Sequence, residues 1–165
     1  MIKVALKYGI AGGAFFIILF LILYYTNENP LIYSKLIDVF ILLIFLVFAI
    51  REFRQVYNNG KLHFWQGMSV GILTYIGMAM ISAVFIYIIT TIVDPQLLTH
   101  YIESRMIMLE ENKDTLIETI NEQAYLKSIS GVKNTTAFDL ALDDFLKKSI
   151  TGLIITIAVS VIFRK

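Results

Sequence analysis

Residues 67–93 read GMSVGILTYIGMAMISAVFIYIITTIV, a run of 27 residues without a charged side chain. A helix needs about 20 mostly apolar residues to cross the roughly 30 Å hydrocarbon core of a bilayer. At about 1.5 Å per residue this run exceeds that thickness, which predicts a tilted or bent membrane-spanning helix. The whole chain agrees, since its 165 residues are 58% hydrophobic and 16% charged. The mean hydropathy of +0.74 therefore predicts an integral membrane protein.

Three further apolar stretches extend this prediction to four spans. Together the spans cover about residues 4–25, 31–50, 67–93 and 149–163. Backbone polar groups in lipid must be satisfied within the segment, so each span is predicted as an α-helix. The fourth has only 15 uncharged residues, a length that also suits a re-entrant segment. The predicted fold is all-α, an integral membrane four-helix bundle that forms a single domain over residues 1–165.

The distribution of charge predicts the orientation of the spans. With the N-terminus inside, the cytoplasmic pieces hold seven basic residues and a single acidic residue, Glu52. An even number of crossings then places both basic termini in the cytoplasm, as the positive-inside rule favours. Residues 94–148, with six basic and ten acidic residues, form the predicted extracytoplasmic helical segment between the third and fourth spans.

Apolar residues recur at helical spacing within that outer segment. The pattern from Leu98 to Leu109 predicts an amphipathic helix, and it weakens around Asn112 before it resumes. Either one bent helix or a helical hairpin fits this pattern. A loop is predicted over residues 128–134. Thr136 with Asp139 forms a capping-box pattern, which predicts a helix that continues through the last span.

Small residues at four-residue spacing predict the faces on which the spans pack, because they allow membrane helices to approach closely. The second span offers only large side chains, so we expect it to face lipid or a partner. The predicted partners are the lipid bilayer, a second copy or another membrane protein. The predicted packing glycines are Gly9, Gly13, Gly67, Gly71 and Gly152.

Asp38 is the only acidic residue within a predicted span. Ionisable residues inside a membrane are costly to bury and often mark functional sites. Asp38 lies three residues after Lys35, so the two side chains can share one helix face and reach the interface. Two interpretations remain open: an interfacial ion pair, and a substrate or proton site.

The remaining motifs predict no catalytic, cofactor-binding or metal-binding site. The chain lacks cysteine, and His63 and His100 fall on opposite sides of the membrane in this topology. Glu110, Asp114 and two further acidic residues at the same spacing predict a solvated carboxylate row along one helix face. We therefore predict no catalytic residues, no cofactor and no metal, and a protein that is not an enzyme. A net charge of +1 gives no reason to expect nucleic acid.

The overall pattern resembles the bacterial membrane proteins catalogued as domain of unknown function 4199. The resemblance covers essentially the entire chain and implies a small multi-pass protein of a bacterial inner membrane, which would make the outer segment periplasmic. It carries no functional residue and no activity. The features that carry it are Tyr8-Gly9, Gly12-Gly13, Arg51, Phe53-Arg54, Phe64, Gly67, Gly71 and the stretch from Phe145 to Lys165 with Gly152.

Three function hypotheses follow from these residues. The first is a non-enzymatic assembly protein, either a homo-oligomer or an accessory subunit of an envelope complex. The second is an oligomeric transporter or channel subunit, whose path would involve Asp38 and the hydroxyls of the third span. A lipid-modifying enzyme that uses the outer acids is a weaker third hypothesis, because nothing predicts that these acids converge.

Overall fold

Long apolar stretches without internal proline become long helices in the computed structural model, which describes residues 1–26, 30–33 and 35–164. The side chains of residues 33, 35 and 36 lie outside this description. Within these ranges all regular structure is helical, and π-helical turns at Phe53–Tyr57 and Ile89–Val93 extend two of the helices. The α-helices are α1 (Ile2–Tyr25), α2 (Pro30–Tyr33), α3 (Lys35–Glu52), α4 (Phe64–Ile88), α5 (Gln96–Glu111), α6 (Lys113–Ile120), α7 (Glu122–Lys133) and α8 (Ala137–Phe163).

Three of the described helical segments are long and apolar enough to cross a membrane. They are Ile2–Tyr25, Phe64–Val93 and Ala137–Phe163, with 24, 30 and 27 residues. The predicted fourth span, residues 149–163, is thus the C-terminal part of a longer helix. By contrast, α3 has 18 residues and carries charged residues at both ends, so it falls outside this set.

The core is organised around α4, which packs against α8 and α1, while α3 packs against α1, α4 and α8. Within the described residues, α1 and α8 meet mainly through α4, so the expected close contact among all three apolar spans is wrong for that pair. The expectation that the second span faces lipid or a partner holds only for one side of α3, which exposes Phe40 and Phe48, whereas its other side packs on the other long helices. Leu42, Leu46 and Ile50 of α3 are buried, because large aliphatic side chains fill the gaps between helices as effectively as glycines close them.

The direction of the helices follows from their residue pairings. Gly9 lies against Gly77, and Gly13 lies against Ile81, so α1 and α4 run in the same direction. One buried cluster joins the start of α1 and α4 to the ends of α3 and α8. Both ends of the chain therefore lie at the same end of the packed helices.

The five predicted packing glycines all lie where two long helices meet. Gly9 and Gly13 lie between α1 and α4, and Gly67, Gly71 and Gly152 lie between α4 and α8. A methyl group added at Gly152 would come 2.6 Å from the Tyr75 ring, and one at Gly67 would come 2.7 Å from Ser160 Oγ. These distances are too short for a side chain, so glycine allows the close approach of α4 and α8.

Of the two predicted alternatives for the break near Asn112, the bent helix is the one observed, and a hairpin is closed only further along the chain by α7. The chain leaves the long helices at Asp94, bends at Asn112 and reverses at Asn121, whose φ is 70°. The Asn121 side chain accepts a hydrogen bond of 3.0 Å from Ala124 N, which caps α7. From there α7 packs back on α5 and α6.

The predicted loop over residues 128–134 is wrong, whereas the predicted start of α8 is confirmed. Helix α7 continues to Lys133 because the Ser128 hydroxyl donates to the Ala124 carbonyl within the helix instead of ending it. At the start of α8, Asp139 N donates to Thr136 Oγ1 at 3.2 Å, and Thr136 N donates to Asp139 Oδ2 at 2.8 Å. This reciprocal capping box begins a helix that runs without a break to Phe163.

Candidate functional site

A buried ion cluster lies where the long helices meet. Lys148 of α8 is only 5% exposed. Its Nζ lies 2.9 Å from Oδ2 of Asp38 on α3, and it also contacts the carboxylate of Asp144, one turn earlier on α8. Burying a charge is costly unless it is paired, so the two carboxylates account for how this ammonium is held away from solvent.

The two remaining long helices also reach this cluster. Ser82 of α4 donates a hydrogen bond of 2.8 Å from Oγ to Oδ2 of Asp144. The Lys148 ammonium lies 4.7 Å from the centre of the Phe16 ring on α1, which is within range of a cation–π contact. We refer to Phe16, Asp38, Ser82, Asp144 and Lys148 as the Lys148 cluster.

The Lys148 cluster borders the uncharged runs 149–163 of α8 and 39–50 of α3, and its Ser82 lies within the uncharged run 67–93. Lys148 precedes the last residue of α8, Phe163, by about 15 residues, or about 22 Å along the axis. Phe16 follows the first residue of α1, Ile2, by a similar distance, about 21 Å.

The residues of the Lys148 cluster line one end of a cleft of about 240 Å³. Asp143 and Lys147 form an ion pair at its more exposed part, with side chains that are 47% and 51% exposed. Exposure then falls to 12% for Asp38 and 6% for the Lys148 side chain, which form the floor. The walls are mainly apolar and include Phe16, Phe20, Leu42, Ile86 and Leu140.

A protein family matches this chain. The family model described as "Protein of unknown function (DUF4199)" matches residues 7–165, nearly the whole chain. The chain belongs to the DUF4199 family. The matched range includes every residue of the Lys148 cluster, and the family description carries no activity or ligand. Neither the curated proteins nor the solved structures contain a match to the chain.

Two polar contacts join helices at the opposite ends of this DUF4199 protein. Where both termini lie, Glu52 Oε2 of α3 accepts hydrogen bonds from Lys7 Nζ at 2.6 Å and Tyr8 OH at 2.7 Å. At the other end, Tyr24 OH of α1 donates to Oδ2 of Asp94 at 2.8 Å. Each contact involves only two or three side chains, so we interpret both as contacts that hold neighbouring segments together.

The DUF4199 structure changes the predicted environment of Asp38. The Lys35 side chain lies outside the described residues, so the predicted Asp38–Lys35 pair lies outside them too. The contact that is described joins Asp38 to Lys148 of α8. Asp38 is therefore part of a contact between helices far apart in sequence.

Sequence reasoning missed Lys148 and Asp144, and it included Ser82 only among the hydroxyls of the third span. The uncharged run predicts a fourth span that begins at residue 149, which assigns Lys148 to the predicted outer segment. One signal was available, because the four-residue spacing of the small residues Thr156 and Gly152, continued backward, reaches Lys148 and then Asp144. Thr156, Gly152 and Lys148 are buried, and Asp144 is partly buried.

The outer acids do not form the single predicted row. Glu110 lies on α5, Asp114 and Glu118 lie on α6, and Glu122 lies on α7, because Asn112 and Asn121 interrupt the helix. All four residues are exposed. Among the described residues, no group of three or more histidine, aspartate or glutamate side chains is placed to hold a metal ion.

Proposed function

We propose that this DUF4199 protein is a non-enzymatic, four-span protein of a bacterial inner membrane that works by assembly. In this role it is a homo-oligomer or an accessory subunit of an envelope complex. The observation that carries the proposal is the position of α6 and α7. In the described part of the chain, these helices pack on each other and on α5 and make no extensive contact with the long helices.

The exposed apolar side chains of this hairpin support an interaction role. Leu126 of α7 is 56% exposed and Ile120 of α6 is 37% exposed, and Ile107 of the neighbouring α5 is 56% exposed. Tyr125 is the only fully buried residue described in α6 and α7. A two-helix element of this size cannot bury a sizeable core by itself, so a covering protein surface would stabilise it.

The proposed topology uses α3 as the second of the four spans. Its buried face packs among the other three long helices, and residues 39–50 carry no charge. Lys148 pairs with Asp38 near one end of α3, and Arg51 and Glu52 lie at the other end. With the basic termini in the cytoplasm, the hairpin would extend into the periplasm.

Crosslinking in native membranes tests the assembly proposal. After crosslinking, the protein would be purified and its adducts identified by mass spectrometry. We expect a stoichiometric partner or a defined homo-oligomer, whose yield falls at least fivefold in Leu126→Asp. Gln123→Asp, a substitution at an exposed polar position of the same helix, serves as the matched control. A stable monomer without any reproducible adduct would contradict the proposal.

A transporter or channel subunit is the second candidate function. The Lys148 cluster favours it, because ionisable groups within membrane spans often line the paths of ions or substrates. Four spans with few polar residues make a poor pore alone, so an oligomer would be needed. Solute flux in proteoliposomes that is absent in Asp38→Ala would support this function, and vesicles that stay tight to many solutes would refute it.

A further inference from the structure

We propose that the cleft above Lys148 is a binding site for a small organic cation that carries a primary ammonium group. In the unliganded protein, the ammonium of Lys148 occupies the position that the ligand's ammonium takes. This inference rests on the second candidate function for its biological purpose, since it names the substrate class of such a transporter or channel. The binding step itself does not require transport.

The contacts of Lys148 define what the floor of the cleft binds. Its ammonium touches carboxylates from two helices, Asp38 at 2.9 Å and Asp144, and faces the Phe16 ring at 4.7 Å. Carboxylates accept N–H hydrogen bonds, and an aromatic face attracts a cation. An alkylammonium ion offers the same charge and the same three N–H donors as the end of a lysine side chain.

The walls and the volume of the cleft restrict the rest of the ligand. The cleft has a volume of about 240 Å³. This is below the range of about 300–1,000 Å³ that is typical of drug-sized ligands. Phe20, Leu42 and Leu140 offer apolar walls, which suit a short alkyl group. The floor disfavours a quaternary ammonium ion, which has no N–H to donate to Asp38 and Asp144.

Exchange of the two ammonium groups keeps the charge of the floor constant. Lysine has a flexible four-carbon stem, which allows its ammonium to move along the cleft toward the exposed Asp143 and Lys147. A ligand must compete with this tethered group, whose effective concentration is on the order of millimolar or higher. Removal of the tethered ammonium is therefore expected to strengthen ligand binding by at least about tenfold.

Melting temperatures of the full chain in detergent test this inference. Ethylammonium chloride is the probe, and equal concentrations of sodium chloride and tetramethylammonium chloride are the reference salts. At about ten times the apparent Kd we expect ethylammonium to raise the melting temperature by about 3–6 °C relative to both salts. Lys148→Met should show this response at concentrations at least tenfold lower than wild type, and Lys127→Met on α7 should respond like wild type.

The Asp38→Asn variant and the wild-type response to the reference salts keep the test decisive if Lys148→Met does not fold. Asp38→Asn retains the Lys148–Asp144 pair and should lose most of the ethylammonium response, because one of the two carboxylates is gone. A wild-type protein that responds equally to ethylammonium and to sodium would overturn the inference, as would an unchanged response in Asp38→Asn.

Flux measured on the same preparations separates the site from the function. Specific ethylammonium binding without any flux in proteoliposomes would support the site and refute transport. Flux of other solutes without ethylammonium binding would support transport and overturn the proposed ligand class.

Discussion

Replacing Lys148 by methionine would remove the ammonium that contacts both Asp38 and Asp144. Methionine has a similar length and fills the same space, so the substitution changes charge rather than volume. The side chains of these residues are 6%, 12% and 17% exposed, and water can compensate little of the lost attraction. Removal of one partner from a buried ion pair costs about 3–5 kcal/mol. We expect Lys148→Met to lower the free energy of unfolding by this amount.

Thermal unfolding in detergent micelles measures this cost. For a chain of this length, 1 kcal/mol changes the melting temperature by about 2–4 °C, so Lys148→Met should unfold roughly 6–20 °C below wild type. Lys147→Met is the matched control, because Lys147 pairs with Asp143 in the same i, i+4 geometry but is half-exposed. An exposed pair contributes about 0–1 kcal/mol, so this variant should shift by about 4 °C or less.

The same two lysine variants can also refute this expectation. Equal shifts of the melting temperature in Lys148→Met and Lys147→Met would mean that burial does not increase the contribution of Lys148 to stability. A variant in which Asp38, Asp144 and Lys148 are all replaced by uncharged residues should recover part of the lost stability, since the two carboxylates that Lys148 contacts are then neutral as well.

Three further predictions concern the packing, the capping and the topology. Gly152→Ala places a methyl group 2.6 Å from the Tyr75 ring, and thermal unfolding should show a free energy of unfolding that is lower by about 1–3 kcal/mol. Gly77→Ala is the control and should leave this free energy unchanged, because the nearest atom to its methyl group would be Gly9 Cα at 3.6 Å. Thr136→Ala removes the cap of α8 and should cost about 0.5–2 kcal/mol, with faster hydrogen exchange in its first turn. Reporter fusions should place Lys61 in the cytoplasm and Lys127 outside it, and a cytoplasmic signal after Lys127 would contradict the topology.

Local patterns in the sequence determined the helices and many of their ends. The uncharged run 67–93 specified a helix long enough to cross a membrane, because apolar length and composition are properties of the segment itself. Thr136 and Asp139 likewise specified the start of α8, because a capping box involves residues only three apart. The loop predicted over residues 128–134 failed, because serine hydroxyls can be satisfied inside a helix as well as outside one.

The Lys148 cluster was decided by the tertiary structure. Asp38 could be singled out from the sequence as an acid within a span, but its described partner lies 110 positions later in the chain. Lys148 and Asp144 looked like part of a solvated outer segment, and Ser82 looked like an ordinary hydroxyl in a membrane helix. Which charges meet depends on how α1, α3, α4 and α8 pack, and that packing is a sum of many contacts between distant residues. A sequence pattern records which faces are apolar or small, whereas only the packed helices determine which buried charges lie opposite each other.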